Sequence, residues 1–184
     1  MKVKSSFSIG VFCSAATDIP YEYYEQTSCL GRWIARQGFR LVYGGVNLGL
    51  MECIARAVKE DGGTVLGIVP DKLVERGIVS SLLDDVIRVH SLGERKEVML
   101  RESDVFVALP GGLGTLDEVF HVLGEASIGY HTKPVVLYNI DGCWDSTLAL
   151  LDDLRCRGLL RHNLAGRLIV ANSQEELQAF IVHN

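Results

Sequence analysis

Val105-Phe106-Val107-Ala108-Leu109-Pro110-Gly111-Gly112-Leu113-Gly114-Thr115-Leu116-Asp117-Glu118 decides how this chain folds. Its first five residues are apolar without alternation, which predicts a strand covered on both faces, as in a parallel sheet between helices. Three glycines between Gly111 and Gly114 follow, and they permit positive φ and bare, consecutive N–H groups. Helical period resumes from about Thr115 to Ile128. Strand, glycine loop and helix N-terminus in that order form an anion cradle.

The same grammar runs outward in both directions. Upstream, Ser6 to Cys13, Arg40 to Tyr43, Thr64 to Val69 and Asp85 to Val89 read as strands. Between and after them, Tyr21 to Gln37, Leu48 to Glu60 and Leu92 to Glu102 read as helices. Downstream, strands are predicted at Pro134 to Tyr138 and Leu168 to Ala171, with helices at Asp145 to Arg157 and Ser173 to Val182. The expected fold is α/β: a doubly wound, Rossmann-like parallel sheet flanked by helices on both faces. Residues 1–184 are expected to form a single domain, long enough to bury roughly 70% of its unfolded surface. Ligands of such folds bind beyond the carboxyl ends of the strands.

Composition narrows the function. Eighteen basic against twenty-three acidic side chains give a net charge of −5, which speaks against nucleic acid and against an anionic membrane surface. Cys13, Cys29, Cys53, Cys143 and Cys156 are odd in number and show no Cys-x-x-Cys spacing, so they read as idle or buried thiols. No apolar run reaches the ~18 residues of a membrane span. Lys2 and Lys4 ahead of an apolar stretch imitate a secretory signal, but Ser5, Ser6, Ser8 and Gly10 interrupt it. A first strand and a cytoplasmic location are therefore expected. The histidines at 90, 121, 131, 162 and 183 show no metal-ligand spacing, and no metal site is expected.

Candidate site residues follow the strands. Cys13-Ser14-Ala15-Ala16 offers small residues for close approach by a ligand, or simply a tight turn. Gly44-Gly45 after the second strand suits either a nucleotide loop or close helix packing. Gly111, Gly112, Leu113, Gly114 and Thr115 suit a phosphomonoester held by backbone amides, since no Walker lysine accompanies them. Thr115-x-x-Glu118 has capping-box spacing with Thr115 as N-cap. Alternatively, Glu118 in the first helical turn is a carboxylate kept ionised by the helix dipole, able to stabilise an oxocarbenium ion or position a water. Arg95 and Lys96 are either a solvated face or donors to phosphate or base.

The combination Arg95-Lys96, Pro110-Gly111-Gly112-x-Gly114-Thr115-x-x-Glu118 and Tyr43-Gly44-Gly45 resembles the LOG family of nucleoside 5′-monophosphate phosphoribohydrolases. The likeness runs from about Ile9 to Gly158 and includes Gly49-Leu50-Met51, His131-x-Lys133-Pro134 and Asn139-x-Asp141-Gly142. The resemblance implies cleavage of a nucleoside monophosphate, AMP or a cytokinin-type N6-substituted AMP, to free base and ribose 5-phosphate. It implies Arg95 and Glu118 as the catalytic pair and a 5′-phosphate on the glycine loop. It further implies Ser14, Gly44, Gly45, Lys96 and His121 around the substrate, a homodimer, and no cofactor. The chain departs from the family pattern at Ser14 to Ala16, Val46, Leu92, His121 and Gly124 to Ser127, which bears on base choice. A molybdenum-cofactor or nucleotide carrier with a similar loop is the rival. A pyridoxal decarboxylase lacks a recognisable Schiff-base lysine among Lys2, Lys4, Lys59, Lys72, Lys96 and Lys133. An NAD enzyme lacks its Gly-x-Gly-x-x-Gly fingerprint.

Overall fold

The computed structural model describes residues 7–160 and 166–183. The strands are β1 (Ser8–Phe12), β2 (Arg40–Tyr43), β3 (Thr64–Pro70), β4 (Asp85–Val89), β5 (Val105–Ala108), β6 (Val135–Tyr138) and β7 (Leu168–Ala171). The helices are α1 (Tyr21–Arg36), α2 (Gly49–Glu60), α3 (Asp71–Glu75), α4 (Leu92–Glu102), α5 (Leu113–Ser127), α6 (Asp145–Cys156) and α7 (Gln174–Val182), with a 3₁₀ turn at Ile140–Gly142. Ser6, predicted to begin the first strand, lies outside the described residues.

Every paired strand is parallel, in the order β4-β3-β2-β1-β5-β6-β7. The doubly wound prediction holds. Successive strand residues feed two cores. Ile9, Val11, Leu41, Tyr43, Val105 and Val107 pack under α1, α2 and α7, where Leu30, Ile34, Leu50, Ile54, Leu177 and Ile181 are buried. Phe12, Val42, Phe106 and Ala108 face α4 and α5, whose Val98, Met99, Val119 and Val122 cover them. Gly10 is required by its register. A Cβ there would come within 2.5 Å of the Phe106 ring, which instead stacks on Phe12 with ring centroids 5.1 Å apart.

Helix starts separate sequence pattern from structure. Ser91 caps α4 and Ser173 caps α7, each accepting from the N–H three residues on. Glu94 and Glu176 reach back one residue farther than in a capping box, to the N–H groups of His90 and Asn172 just before each serine. Thr115 does not cap α5. The helix begins two residues earlier, at Leu113, and Gly112 at its N-cap position supplies no side chain. Glu118 therefore sits in the second turn of α5, not the first, and is not a capping residue. The cause is packing: Thr115 is buried against Gly111, where a Cβ would lie 2.5 Å from the Thr115 Cβ.

Candidate active site

From β1 the chain winds toward β4 in one direction, and from β5 toward β7 in the other. The crevice between β1 and β5 is the topological switch point, where open α/β sheets bind ligands. Three loops are stitched together at its carboxyl edge. The Ser14 N–H donates to the Pro110 carbonyl at 3.1 Å, and the Leu50 N–H donates to the Ser14 carbonyl at 3.0 Å. The segments after β1, before α2 and after β5 thus share one backbone network.

The glycine loop leads straight into α5. With no side-chain cap, the N–H groups of Leu113, Gly114 and Thr115 stand at the helix start, where intrahelical acceptors are lacking. They concentrate the positive end of the helix dipole. Gly112 and Gly114 have nothing within 4 Å of the position a Cβ would take, so the space above the loop is open. Gly111 serves differently, by making room for Thr115.

Gly44 and Gly45 also divide their work. A Cβ on Gly44 would lie 3.1 Å from the Arg95 guanidinium carbon and 2.5 Å from the Met51 methyl, so this glycine admits the arginine. Gly45 has φ +73° and packs on Val69. A segment not foreseen from sequence, α3 and the turn after it, roofs this loop. Val46 bridges Val79, the Asn47 N–H donates to Ile78 O, and the Ser80 N–H donates to Gly45 O.

Arg95 does not lie on a solvated face. Its guanidinium donates through Nη2 to Glu118 Oε1, with side chains only 13% and 8% exposed. Arg95 Nε is buried without a hydrogen-bond partner, so the guanidinium keeps donor capacity unspent. Burial pushes the Glu118 carboxyl above its ordinary value, while Arg95 pulls it back down. Glu118 stands one turn farther along α5 than the sequence suggested, and Arg95 lies directly against it. Beneath the pair lies Cys13, whose thiol is pushed well up by burial first and by Glu118 second. Both influences favour the protonated thiol.

Lys96 and His121 stand to the side. Lys96 Nζ lies 2.8 Å from both oxygens of Asp117. His121 Nε2 is buried without a hydrogen-bond partner and lies 3.7 Å from Glu125 Oε1. Ser14 Oγ accepts from the Ala16 N–H at 3.0 Å and shapes its own turn. Sequence reading missed Asp117. The signal was present as two doublets of opposite charge, Arg95-Lys96 and Asp117-Glu118.

A family model described as "Possible lysine decarboxylase" matches residues 51–181. The chain is 42% identical over 161 residues to the probable cytokinin riboside 5′-monophosphate phosphoribohydrolase LOGL5 of Oryza sativa subsp. japonica. That alignment covers 88% of this chain and 65% of the rice protein, so the chain spans just under two thirds of that relative's length. It is 38% identical over 180 residues to cytokinin riboside 5′-monophosphate phosphoribohydrolase LOG2 of Arabidopsis thaliana, covering 96% of this chain and 84% of that one. Among solved structures, the molybdenum cofactor carrier protein of Chlamydomonas reinhardtii superposes with a TM-score of 0.75 at 28% identity, covering 97% of each chain. The molybdenum cofactor binding protein of Rippkaea orientalis gives 0.74, also at 28% identity, covering 97% of this chain and 96% of that one.

Proposed function

The chain belongs to the LOG family, the group whose model carries the description "Possible lysine decarboxylase", and from that membership we propose that it hydrolyses the N-glycosidic bond of a nucleoside 5′-monophosphate. The products are the free base and ribose 5-phosphate. One observation carries the reading: a buried arginine–carboxylate pair stands beside an uncapped helix N-terminus at the switch point. Pure anion binding has no use for a buried carboxylate next to the anion, whereas glycoside cleavage does.

In this reading the 5′-phosphate rests on the N–H groups of Leu113, Gly114 and Thr115, with Gly111 and Gly112 shaping the loop. Glu118, on the same helix, faces the ribose. As the C1′–N bond breaks, its electrons leave with the base, and positive charge grows on the sugar ring. An ionised Glu118 stabilises that charge or takes a proton from the water that adds at C1′, and the water's proton ends on the departing base, which leaves neutral. Arg95 keeps Glu118 ionised against burial and donates to the nucleotide. Ser14, Gly44, Gly45 and His121 border the sugar and base. The substrate is AMP or an N6-substituted AMP, a reading supported by the similarity to cytokinin riboside 5′-monophosphate phosphoribohydrolases.

The protein acts in the cytoplasm as a C₂ homodimer. Support for the dimer comes from an apolar groove between α5 and α6. It is lined by Phe120, Leu123, Leu150, Leu154 and Leu159, of which Leu150 and Leu159 are 52% and 66% exposed.

The carrier reading is favoured by the likeness to solved molybdenum cofactor carrier and binding proteins. The higher identity to the phosphoribohydrolases favours hydrolysis. Incubation with a panel of nucleoside 5′-monophosphates, with chromatography for released base, separates them. Base release from AMP or its prenylated form, and not from adenosine, is the expected result. Tight binding of every nucleotide without release is the result that refutes hydrolysis.

A further inference from the structure

A second ion pair runs beside the Arg95–Glu118 contact. Lys96 follows Arg95 on α4, and Asp117 precedes Glu118 on α5. The Lys96 ammonium lies 2.8 Å from each Asp117 oxygen, with side chains 17% and 55% exposed. Neighbouring residues on a helix project roughly 100° apart. Two neighbours on α4 therefore meet two neighbours on α5 in only one relative placement of the helices. Sliding either helix by one residue breaks both pairs together. Val98 and Met99 anchor the middle of α4 in the core with Leu100 packed against the same cluster, while Arg95 and Lys96 hold its first turns to α5.

We propose that Lys96 and Asp117 are positioning residues for the hydrolysis, fixing α4 against α5 and balancing the charge beside Glu118 without touching the nucleotide. The proposal rests on the hydrolytic reading above and gives Lys96 a different duty from a substrate contact. The charged and titratable groups around Glu118 are Arg95 and Lys96 from α4, Cys13 from the segment just after β1, and Asp117 and His121 from its own helix. Asp117 favours a protonated Glu118, and Lys96 opposes it. Paired, they act on Glu118 with opposite sign. Removing one leaves the other acting alone on the carboxylate.

The two single variants therefore have opposite signatures. Lys96→Met leaves the Asp117 charge beside Glu118 and moves the acidic limb of the kcat/KM profile to higher pH. Asp117→Asn leaves the Lys96 charge and moves the limb to lower pH. Each displacement is roughly 0.3–1 pH unit, because Asp117 is partly screened by water. A brace that merely held the helices would lower activity in both variants with no opposed movement.

The test is the pH profile of base release from AMP for wild type, Lys96→Met, Asp117→Asn and the exchanged double variant Lys96→Asp/Asp117→Lys. It is joined by ¹³C NMR titration of the Glu118 carboxyl in the ligand-free proteins. Opposed shifts in both readouts are expected. KM in the single variants should stay within about twofold of wild type and kcat should fall about tenfold or more, with partial recovery in the exchanged variant. Limbs that move the same way, or not at all, overturn the proposal. So does a Lys96→Met variant whose KM rises more than about tenfold at unchanged kcat, since Lys96 would then be a substrate contact. Should Lys96→Met fail to fold, Asp117→Asn at its more exposed position still reports the downward shift. A wild type that releases no base from any nucleotide overturns the hydrolytic reading instead, and the NMR titration still shows whether Lys96 and Asp117 act on Glu118.

Discussion

Gly111 and Gly114 of the loop ought to fail in different ways when each is given one methyl group. At Gly111 the new Cβ would sit 2.5 Å from the Thr115 Cβ and closer still to its hydroxyl. Thr115 is 3% exposed and cannot swing aside into water. Overpacking of this kind costs about 1–3 kcal/mol. For a chain of this length each kcal/mol lowers Tm by about 2–4 °C, so Gly111→Ala should lower it by roughly 2–12 °C. At Gly114 the methyl meets nothing within 4 Å, and alanine is the better helix former. Gly114→Ala should therefore gain about 0.5–1 kcal/mol, or roughly 1–4 °C. Yet Cβ bonds on a helix tilt toward its N-terminus, so this methyl leans into the space proposed for the phosphate. Losing one charge-assisted contact is worth at least ~1.4 kcal/mol, about tenfold in affinity. The expected outcome is a protein that is more stable and has a KM for AMP raised about tenfold or more. Differential scanning calorimetry paired with initial-rate kinetics reads both quantities. A Gly114→Ala enzyme with raised Tm and unchanged KM would show that the phosphate sits elsewhere.

Three further outcomes are expected. Glu118→Gln should lower turnover by ~10²–10⁴-fold with little loss of phosphate affinity, and Arg95→Lys should not restore what Arg95→Ala loses, because a point charge cannot replace a planar fork; steady-state kinetics with AMP would contradict this if either conservative variant kept wild-type kcat. Light scattering at micromolar concentration should give the mass of a dimer, and Leu150→Glu should shift it toward monomer; a monomeric wild type sinks the proposed interface. His131 bridges two segments, its Nε2 on Val122 O and its Nδ1 accepting the Lys133 N–H, each at 3.1 Å, and burial holds it below the ordinary histidine value. The folded protein thus favours the neutral ring, so this contribution is complete above about pH 6.5 and is lost as pH falls through the lowered value. His131→Asn should show a shallower fall in Tm between pH 7 and 5 than wild type, and a parallel fall would refute the linkage.

The strands were legible because a sheet covered on both sides demands unbroken apolar runs, and Val105 to Leu109 could hardly be anything else. The switch-point site was legible for the same reason, since loops after strands carry the ligand in such folds. Three same-spaced motifs show where local pattern stops. The serines of Ser91-x-x-Glu94 and Ser173-x-x-Glu176 cap their helices, while the threonine of Thr115-x-x-Glu118 does not. The difference is tertiary: Thr115 is buried under Gly111, and Glu118 is claimed by an arginine 23 residues away in sequence. The segment α3 to Ser80 escaped notice because its role is made by backbone bonds to the Gly44-Gly45 loop, which leave no periodicity behind. Lys96 and Asp117 meet across 21 residues, and nothing in either helix alone predicts the encounter.

α5 is a single rod of 15 residues, about 22 Å long. Its first turn offers the bare amides, its second carries Glu118, its inner side closes the core, and its outer side presents Phe120. Such a shared axis limits how descendants of this chain can drift. A mutation that retilts the rod to suit another base also displaces the amides and loosens the sheet, so selection would see several losses at once. Novelty is cheaper on the rim, where Leu48 and Leu92 are 40% and 61% exposed at the starts of other helices. Those two positions can change character while the rod stays still, and homologues with different tastes should differ there before they differ along the axis of α5.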